Sequence, residues 1–440
     1  MEYDENKILD DIISRNYYEA IDELTGVFII GYIEGNDKLV FMGDPTCTMS
    51  IFYGTHNSTL YISSNTQLIG ELCNIEMDEY IKDLLNYKYY RLFGRCLPGD
   101  YTPYSEFKRA TPNFEYVYND GKFSFKRVYL NAKVKTVLSL AEYTDIIKKC
   151  YKIMCNNLKL IPLKWDKPAI SLTGGCDSKT TLSCVKDYDS YKYFSYVSVE
   201  KEKPDANAAR KIADMLNIRH TIYYIPQDND FYPEYEKVNK IIATNCGNIG
   251  TVNDNDVRKR IYFDDNDDFD VEVKSWVSEI ARAYYHKRFL KRKMPRKITP
   301  RMLSALYKVI INNKNLEKRT DEVFKEYLHK YYVNQDFENI PWWDLIFWEY
   351  RVAAWNGLVI TGEHKYSFDI TIPYNNRKLL LYLLQTPLEY RLKDIPHKDI
   401  QNLGNKKIAN TDISVQNVEH TKKRAFMERI YFEICSRVII

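Results

Sequence analysis

The fold is decided by the stretch Pro168-Ala-Ile-Ser-Leu-Thr-Gly-Gly-Cys-Asp-Ser-Lys-Thr-Thr-Leu-Ser183. Its first part, Ala169 to Leu172, is a short apolar run, which is typical of a buried strand. Two glycines and a polar tripeptide follow, and a helical pattern begins near Ser178. The stretch therefore predicts a strand, a glycine-rich turn and a helix N-terminus in direct succession.

A turn of this kind can hold phosphate groups. Gly174 and Gly175 lack a Cβ atom, so backbone N–H groups can approach an anion closely, and the helix N-terminus adds positive potential. Asp177 cannot lie against bare phosphate, so we expect it to hold a Mg²⁺ ion that the phosphates also bind. The Walker pattern GxxxxGK[ST] and the dinucleotide pattern GxGxxG are both absent from the stretch.

The hexapeptide Thr173-Gly-Gly-Cys-Asp-Ser178 resembles the Ser-Gly-Gly-x-Asp-Ser pyrophosphate loop of the ATP pyrophosphatase superfamily. Within that group it is most similar to the synthetase domain of asparagine synthetase. It departs at its first position, where threonine keeps the hydroxyl of serine. The resemblance implies ATP-binding roles for Thr173, Gly174, Gly175, Cys176, Asp177 and Ser178. An ordinary strand-to-helix turn remains the alternative.

Composition narrows the function classes. A chain of 440 residues with 45% apolar residues is expected to hold two domains, and its net charge of +3 does not demand a polyanionic partner. Nine scattered cysteines lack zinc-site or disulfide-framework spacing, which favours reduced thiols in a cytoplasmic protein. No apolar run approaches the roughly 18 residues of a membrane span, and no signal peptide precedes the first charges. We therefore expect no membrane partner.

Residues 1–132 are expected to form an antiparallel α+β domain. Apolar periodicity predicts a helix over 5–24. Short β-type runs predict strands over 27–33, 38–42, 50–53, 60–63, 114–118 and 123–129. Asn119-Asp-Gly-Lys122 between the last two runs is a hairpin turn signal.

This region also resembles the second half of the glutaminase-type domain of asparagine synthetase. The matching features are Leu24-Thr-Gly-Val-Phe28, Asp44 with Ile51-Phe-Tyr53, Tyr61-Ile-Ser-Ser64 and Leu97-Pro-Gly99. The second residue is Glu2, so no N-terminal Cys, Ser or Thr can act as nucleophile, and we predict no glutamine hydrolysis. Either the domain is a remnant kept for packing, or the given chain lacks its true start.

Residues 133–440 are expected to form the second domain. A long helix over 138–160 leads into it. The pattern then alternates between helices (178–187, 205–216) and strands (193–199, 220–224), which predicts a right-handed parallel sheet with helices on both faces. The acidic segment 254–270 is expected to be a solvated loop, because it lacks the spacing of a Ca²⁺ loop. A strand over 271–277 and a helix over 278–289 should follow.

Two further groups of site residues come from the resemblance. In the family, the strand after the loop lines the adenine pocket, which makes Ser198 and Val199 adenine contacts or simply buried strand residues. A later turn contacts pyrophosphate and Mg²⁺. Here that turn has Ser278 where the family has Asp, but Glu279 remains, as a Mg²⁺ ligand, an acid–base group or a carboxylate at a helix N-terminus. Arg282 is expected to neutralise a phosphate or carboxylate, or to form a surface salt bridge.

The C-terminal part is expected to be helical over 302–312, 316–331, 342–358, 378–386 and 420–437. By resemblance, Glu349 orients the amine substrate or its base, and the alternative is a helix-face ion pair. The synthetases place an essential lysine near residues 393–398, where Lys398 aligns best. The basic run 282–301 lacks the aromatic residues of RNA-binding modules in register, which argues against nucleic acid and leaves an acidic substrate open.

The residues and the resemblance together predict an α/β protein, in which a partial Ntn-hydrolase-like α+β domain precedes a parallel-sheet ATP pyrophosphatase domain with a helical C-terminal part. The predicted activity is an ATP- and Mg²⁺-dependent carboxylate–amine ligase that releases pyrophosphate. Its substrates would be a small-molecule or peptide carboxylate and ammonia or another amine. A homodimer, an intramolecular amide-forming cyclase of the β-lactam synthetase or lasso-peptide type, and a non-catalytic nucleotide-binding scaffold remain open.

Overall fold

The computed structural model describes residues 4–35, 37–130, 139–247, 249, 253–290, 294–295, 297–332, 340–414 and 422–438. The predicted domain boundary at residue 132 lies outside the described residues. So do residues 291–293 and 296 of the basic run. Along the described chain, none of the helices is long and apolar enough to cross a membrane.

The N-terminal region combines short helices with two antiparallel sheets. Its elements are α1 (Glu5–Ser14), α2 (Tyr17–Glu23), β1 (Ile29–Glu34), β2 (Lys38–Gly43), β3 (Phe52–His56), β4 (Thr59–Ser63), α3 (Thr66–Cys73), α4 (Glu79–Asn86), β5 (Phe107–Arg109), β6 (Phe114–Asn119) and β7 (Lys122–Arg127). One sheet has the order β1-β2-β6-β7 and the other β4-β3-β5. The hairpin between β6 and β7 is confirmed: Asp120 and Gly121 have φ angles of 49° and 74°, as a type I′ turn requires.

The prediction of one continuous helix over 5–24 is wrong, because the helix is interrupted between α1 and α2. The side chain of Asn16 accepts hydrogen bonds from the backbone N–H groups of Tyr18 (3.2 Å) and Glu19 (3.3 Å). An asparagine that caps a helix in this way starts a new helix at the following residue. The apolar periodicity continues across the break, which is why it resembled one helix.

The rest of the chain alternates helices and strands and then becomes helical. Its first elements are α5 (Leu140–Lys164), β8 (Pro168–Ser171), α6 (Cys176–Cys184), β9 (Lys192–Val197), α7 (Lys203–Leu216), β10 (His220–Tyr224), α8 (Tyr235–Asn245), α9 (Asp254–Asp264), β11 (Val271–Val273) and α10 (Tyr284–Arg288). The later ones are α11 (Pro300–Tyr307), α12 (Lys314–Tyr332), α13 (Trp342–Ile346), a π-helical segment (Phe347–Val352), α14 (Ala353–Gly362), β12 (Asp369–Thr371), α15 (Arg377–Gln385), α16 (Leu388–Leu392), α17 (Ile395–Gly404), α18 (Lys406–Ala409) and α19 (Lys422–Cys435).

The five strands β8 to β12 form one parallel sheet in the order β10-β9-β8-β11-β12. The predicted α/β class with a parallel sheet is therefore confirmed. β8 lies at the centre, and its Ala169 and Ile170 are fully buried. The strand order runs outward in one direction from β8 to β10 and in the other from β11 to β12, so it reverses between β8 and β11.

Two local predictions in this part are wrong. The acidic segment after residue 253 is not a loop, because α9 occupies most of it. The side chain of Asn253 caps α9, Asp254 and Asp256 lie favourably in its first turn, and Val257 and Phe263 are buried. The predicted helix over 278–289 is a 3₁₀ turn (Ser278–Ala281) followed by α10, because the backbone is left-handed at the intervening Ala283 (φ 53°).

A buried ion pair joins the N-terminal region to the helical part. Arg127, at the end of β7, donates two hydrogen bonds to Glu349 (2.5 and 2.8 Å), which lies in the π-helical segment and is fully buried. Asn113 (2.9 Å) and Tyr332 (2.8 Å) also donate to the Glu349 carboxylate. With its oxygens satisfied from both parts of the chain, Glu349 holds the two together.

We predict that Glu349→Ala lowers the free energy of unfolding by about 3–5 kcal/mol, because it leaves the Arg127 charge buried without its partner. The measurement is urea unfolding followed by circular dichroism. The matched control is Glu322→Ala, which removes an exposed pair with Lys325 (3.4 Å) and should cost less than about 1 kcal/mol. Equal losses of unfolding free energy in the two variants would show that the buried ion pair of Glu349 does not stabilise the fold.

Lys308, just after α11, is a buried amine. Its Nζ donates to the carbonyl oxygens of Tyr90 (3.3 Å) and Gly94 (2.9 Å) and lies 3.7 Å from the centre of the Tyr90 ring. Burial lowers the pKa of Lys308 to about 7. The unfolded chain therefore binds one more proton than the folded chain between about pH 7 and the ordinary lysine pKa of 10.5.

Because the folded pKa is the lower one, the contribution of Lys308 to stability rises with pH in this window. We predict that the unfolding free energy of the wild type gains up to about 1.4 kcal/mol per pH unit relative to Lys308→Met. Urea unfolding of both proteins between about pH 7 and about pH 10 measures the difference. A constant difference across the window would show that Lys308 keeps its ordinary pKa.

Candidate active site

The predicted loop lies at the carboxyl end of β8, in the middle of the parallel sheet. β8 ends at Ser171 and α6 begins at Cys176, so 172–175 form the turn between them. Open parallel sheets bind ligands in the crevice at the carboxyl ends of their strands, where the strand order reverses. The loop adjoins such a reversal, between β8 and β11.

Three backbone N–H groups of the loop donate within the chain. Thr173 N donates to Ser178 Oγ (3.0 Å), Gly174 N to Asp205 Oδ1 (2.8 Å) and Gly175 N to Thr173 Oγ1 (3.1 Å). A Cβ atom at Gly175 would meet Thr173 Oγ1 at 3.1 Å, which is tighter than an ordinary contact. These three N–H groups therefore donate to side-chain oxygen atoms, one of which belongs to the carboxylate of Asp205 on α7.

Asp177, in the first turn of α6, meets the turn that follows β11. Its carboxylate accepts short hydrogen bonds from Ser278 Oγ and from Arg282. The Asp177 and Arg282 side chains are 18% and 20% exposed, so the pair is partly accessible to solvent. From the sequence, Arg282 was expected either to neutralise a phosphate or carboxylate or to form a surface salt bridge. It contacts a carboxylate, and that carboxylate belongs to the predicted loop.

Arg282 is shared between two carboxylates. Its Nε and Nη2 donate to Asp394, between α16 and α17, at 2.8 and 3.1 Å, and Lys287 Nζ donates to the same carboxylate at 2.6 Å. Burial alone would raise the pKa of Asp394, but the hydrogen bonds from Arg282 and Lys287 lower it to about 2. The site therefore contains two cations held by aspartates at its rim.

Glu279, in the 3₁₀ turn after β11, lies near enough to Asp177 for the two charges to interact. Burial raises the pKa of Glu279 to about 7, and the negative charge of Asp177 adds to the increase. Two carboxylates whose charges repel, with oxygen donors, suit a Mg²⁺ ion, which is typically held by one or two carboxylates and by phosphate oxygens. Within the described ranges, no three His, Cys, Asp or Glu side chains form a metal cluster. Asp177 and Glu279 fit the ion only if phosphates complete its shell.

His397 and Tyr374 complete the wall around Asp177. His397 Nε2 lies 3.7 Å from Asp177 Oδ1, and Tyr374 donates to the Asp177 carbonyl oxygen (3.2 Å). Burial lowers the pKa of His397 to about 4, so the ring is neutral at pH 7, and its Nε2 has no hydrogen-bond partner in the described part of the chain. The sequence did not assign Asp394 to the site, since no local pattern marks it.

Ser198 and Val199 follow β9 at the same edge of the sheet. The backbone N–H groups of Ser198 (2.7 Å) and Val199 (3.4 Å) donate to Glu202. The Ser198 hydroxyl is buried and unpartnered among the described residues, whereas Val199 is half-buried. Their position at the carboxyl end of β9 is compatible with either of the two roles that the sequence allowed.

The other two candidates lie apart from this crevice. Glu349 belongs to the buried network with Arg127, and no hydrogen bond or ion pair given for the described chain connects it to the loop. The side chain of Lys398 is exposed on α17, although Gln401 on the same helix donates to the carbonyl oxygen of Cys176 (3.2 Å). Lys287 is the lysine that contacts the rim of the site.

The turn after β11 is strained. Val277 adopts a left-handed backbone (φ 67°), a conformation that a β-branched residue rarely takes and that glycine takes freely. The same turn is anchored by Ser275, whose hydroxyl donates to Thr181 on α6 (2.8 Å). The turn therefore has a backbone conformation typical of glycine at a residue that is not glycine.

No protein-family model matches the chain, and no curated protein sequence matches it. The resemblance to asparagine synthetase therefore stays a prediction from the sequence. Independent support for a function has to come from the contacts of the site itself.

We predict that Asp394→Asn lowers the free energy of unfolding by about 2 kcal/mol or more, because Arg282 and Lys287 lose the charge that compensates their burial. Thermal unfolding measures the loss. Asp145→Asn is the control, since the Asp145 pair with Lys149 (2.7 Å) is half or more exposed on both sides and should contribute under about 1 kcal/mol. If Asp394→Asn were as stable as this control, the pairing of Arg282 and Lys287 with Asp394 would not stabilise the fold, which would contradict the prediction.

Proposed function

We propose that the chain is an ATP-dependent ligase that adenylates a carboxylate with release of pyrophosphate and then forms an amide as ammonia or another amine displaces AMP. One observation carries the proposal. Asp177, which follows the glycine-rich turn after β8, accepts hydrogen bonds from Ser278 and Arg282, in the turn after β11, and the strand order reverses between these two strands. A glycine-rich turn before a helix, two neighbouring carboxylates and two cationic side chains together suit the Mg²⁺ salt of a nucleoside triphosphate.

In the proposed reaction, the pyrophosphate group of ATP replaces the side-chain oxygens that now accept from the loop. The N–H groups of Thr173, Gly174 and Gly175 would bind its oxygens. Arg282 would turn from Asp177 towards the phosphates, while Asp394 keeps it oriented. Mg²⁺ held by Asp177 and Glu279 would supply charge neutralisation on the leaving pyrophosphate. Backbone donors fixed before the reaction are effective at stabilising developing negative charge.

As the alternative to holding Mg²⁺, Glu279 would serve as the base for the attacking amine. Without a bound ion, burial raises its pKa to about 7, which lets the carboxylate accept a proton and release it near neutral pH. The other acidic candidate, Glu349, is engaged by Arg127 and Tyr332. The proposed substrates are the carboxylate of a small molecule or a peptide and, as the nitrogen donor, ammonia or another amine.

A non-catalytic nucleotide-binding protein is the second candidate. It is favoured by the engagement of Asp177 with Arg282 and of the loop N–H groups with side chains of the chain itself. A binding protein needs these contacts to open only for the nucleotide, whereas a ligase must also bring a carboxylate to the α-phosphate. The two candidates differ in whether pyrophosphate is released.

ATP–pyrophosphate exchange screened over carboxylic acids is the discriminating experiment. We predict exchange with at least one acid in the wild type and a fall of about 100-fold or more in Asp177→Asn. The fold should persist in the variant, because Arg282 keeps its pair with Asp394. Asp189→Asn, at an exposed aspartate after α6, is the control and should exchange like the wild type.

Unchanged exchange in Asp177→Asn would overturn the site assignment. Calorimetric binding of Mg–ATP without exchange for any acid would favour the second candidate. Absence of both binding and exchange would remove nucleotide handling altogether.

A further inference from the structure

The C-terminal helix α19 is apolar on two opposite faces. Its inner face is fixed to the protein: Ala425, Phe432 and Cys435 are buried, and the Phe432 ring stacks on Phe289 with 4.9 Å between ring centres. Arg288 Nε donates to Glu428 on the same side (2.7 Å). These contacts determine which side chains α19 presents outward.

The outer face is a ridge of exposed apolar side chains. They are Phe426, Met427, Ile430, Ile434 and Val438, with exposed fractions between 44% and 61%. Within α19 three of them, Phe426, Ile430 and Ile434, recur at every fourth position, so they lie along one side of the helix. Single exposed apolar residues are ordinary, but a contiguous apolar patch on a surface commonly marks a binding face.

Positive charge surrounds this ridge. Between residues 422 and 438 the chain has five cations, Lys422, Lys423, Arg424, Arg429 and Arg437, against two carboxylates. Both carboxylates already have partners, since Arg424 pairs with Glu428 (3.0 Å) and Arg437 with Glu433 (3.2 Å). The excess charge selects an occupant that is negatively charged.

The same charges argue against a second copy of the chain. Two α19 helices packed on each other through the ridge would bring together the excess positive charge of both copies in either orientation. In a parallel pair each cation faces its own counterpart. Like charges opposed across an apolar contact weaken it.

We propose that α19 docks the protein onto an anionic lipid bilayer, with Phe426, Ile430 and Ile434 inserted among the acyl chains. A surface helix binds bilayers through exactly such a combination of a protruding apolar face and flanking Lys and Arg side chains. A bilayer also accepts protruding side chains without a matching groove. The sequence led us to expect no membrane partner because no segment can span one, and a helix lying on the surface needs no spanning segment.

Vesicle flotation of the full-length protein tests the proposal. The vesicles contain either phosphatidylcholine alone or phosphatidylcholine with phosphatidylglycerol. We expect binding to the anionic vesicles only, weakened by salt, and reduced about tenfold or more in Ile430→Glu. Leu72→Glu, at an exposed apolar position of α3, is the matched control and should bind like the wild type. Circular dichroism and the unfolding temperature check that both variants fold.

Three results would overturn the proposal. They are no binding to anionic vesicles, equal binding by Ile430→Glu and the wild type, and equal losses in Ile430→Glu and Leu72→Glu. Light scattering adds one more: a wild-type dimer that Ile430→Glu converts to a monomer would assign the ridge to a second copy. None of these readouts depends on ligase activity, so the ligase proposal and the docking proposal fail separately.

Discussion

The contact between Asp177 and Arg282 is the interaction on which the rest of the site depends. It joins the turn after β8 to the turn after β11, the two strands between which the sheet order reverses. Arg282 in turn is held by Asp394, so the C-terminal helices close over the same point. A single guanidinium thus connects two strand ends and a helical cover that come from distant parts of the chain.

In the proposed reaction, this arrangement keeps Arg282 in place and makes it available to an anion. An arginine largely removed from water is stable only when carboxylates compensate its charge, and here it has two. An incoming phosphate would replace one of them while the other keeps the guanidinium in place. The pKa of Glu279 is raised first by burial and then by the Asp177 charge, so this carboxylate suits the Mg²⁺ ion that would accompany the phosphate.

The sequence predicted those parts of the molecule that local patterns determine. The strand, turn and helix around Gly174, the parallel alternation after them and the hairpin at Asp120 follow from periodicity and turn chemistry, and the structure confirms them. The helix α9 was missed because acidic, Asn-rich composition outweighed the cap at Asn253. The role of Asp394 could not be predicted, because its proximity to Arg282 arises only when α16 and α17 pack over the sheet.

Binding of Mg–pyrophosphate in a crystal tests the central claim most directly. The account predicts pyrophosphate oxygens within hydrogen-bond distance of the N–H groups of Gly174 and Gly175, Arg282 turned from Asp177 to the phosphate, and the Arg282–Asp394 pair retained. Pyrophosphate bound elsewhere, or bound with the Asp177–Arg282 contact intact, would contradict it.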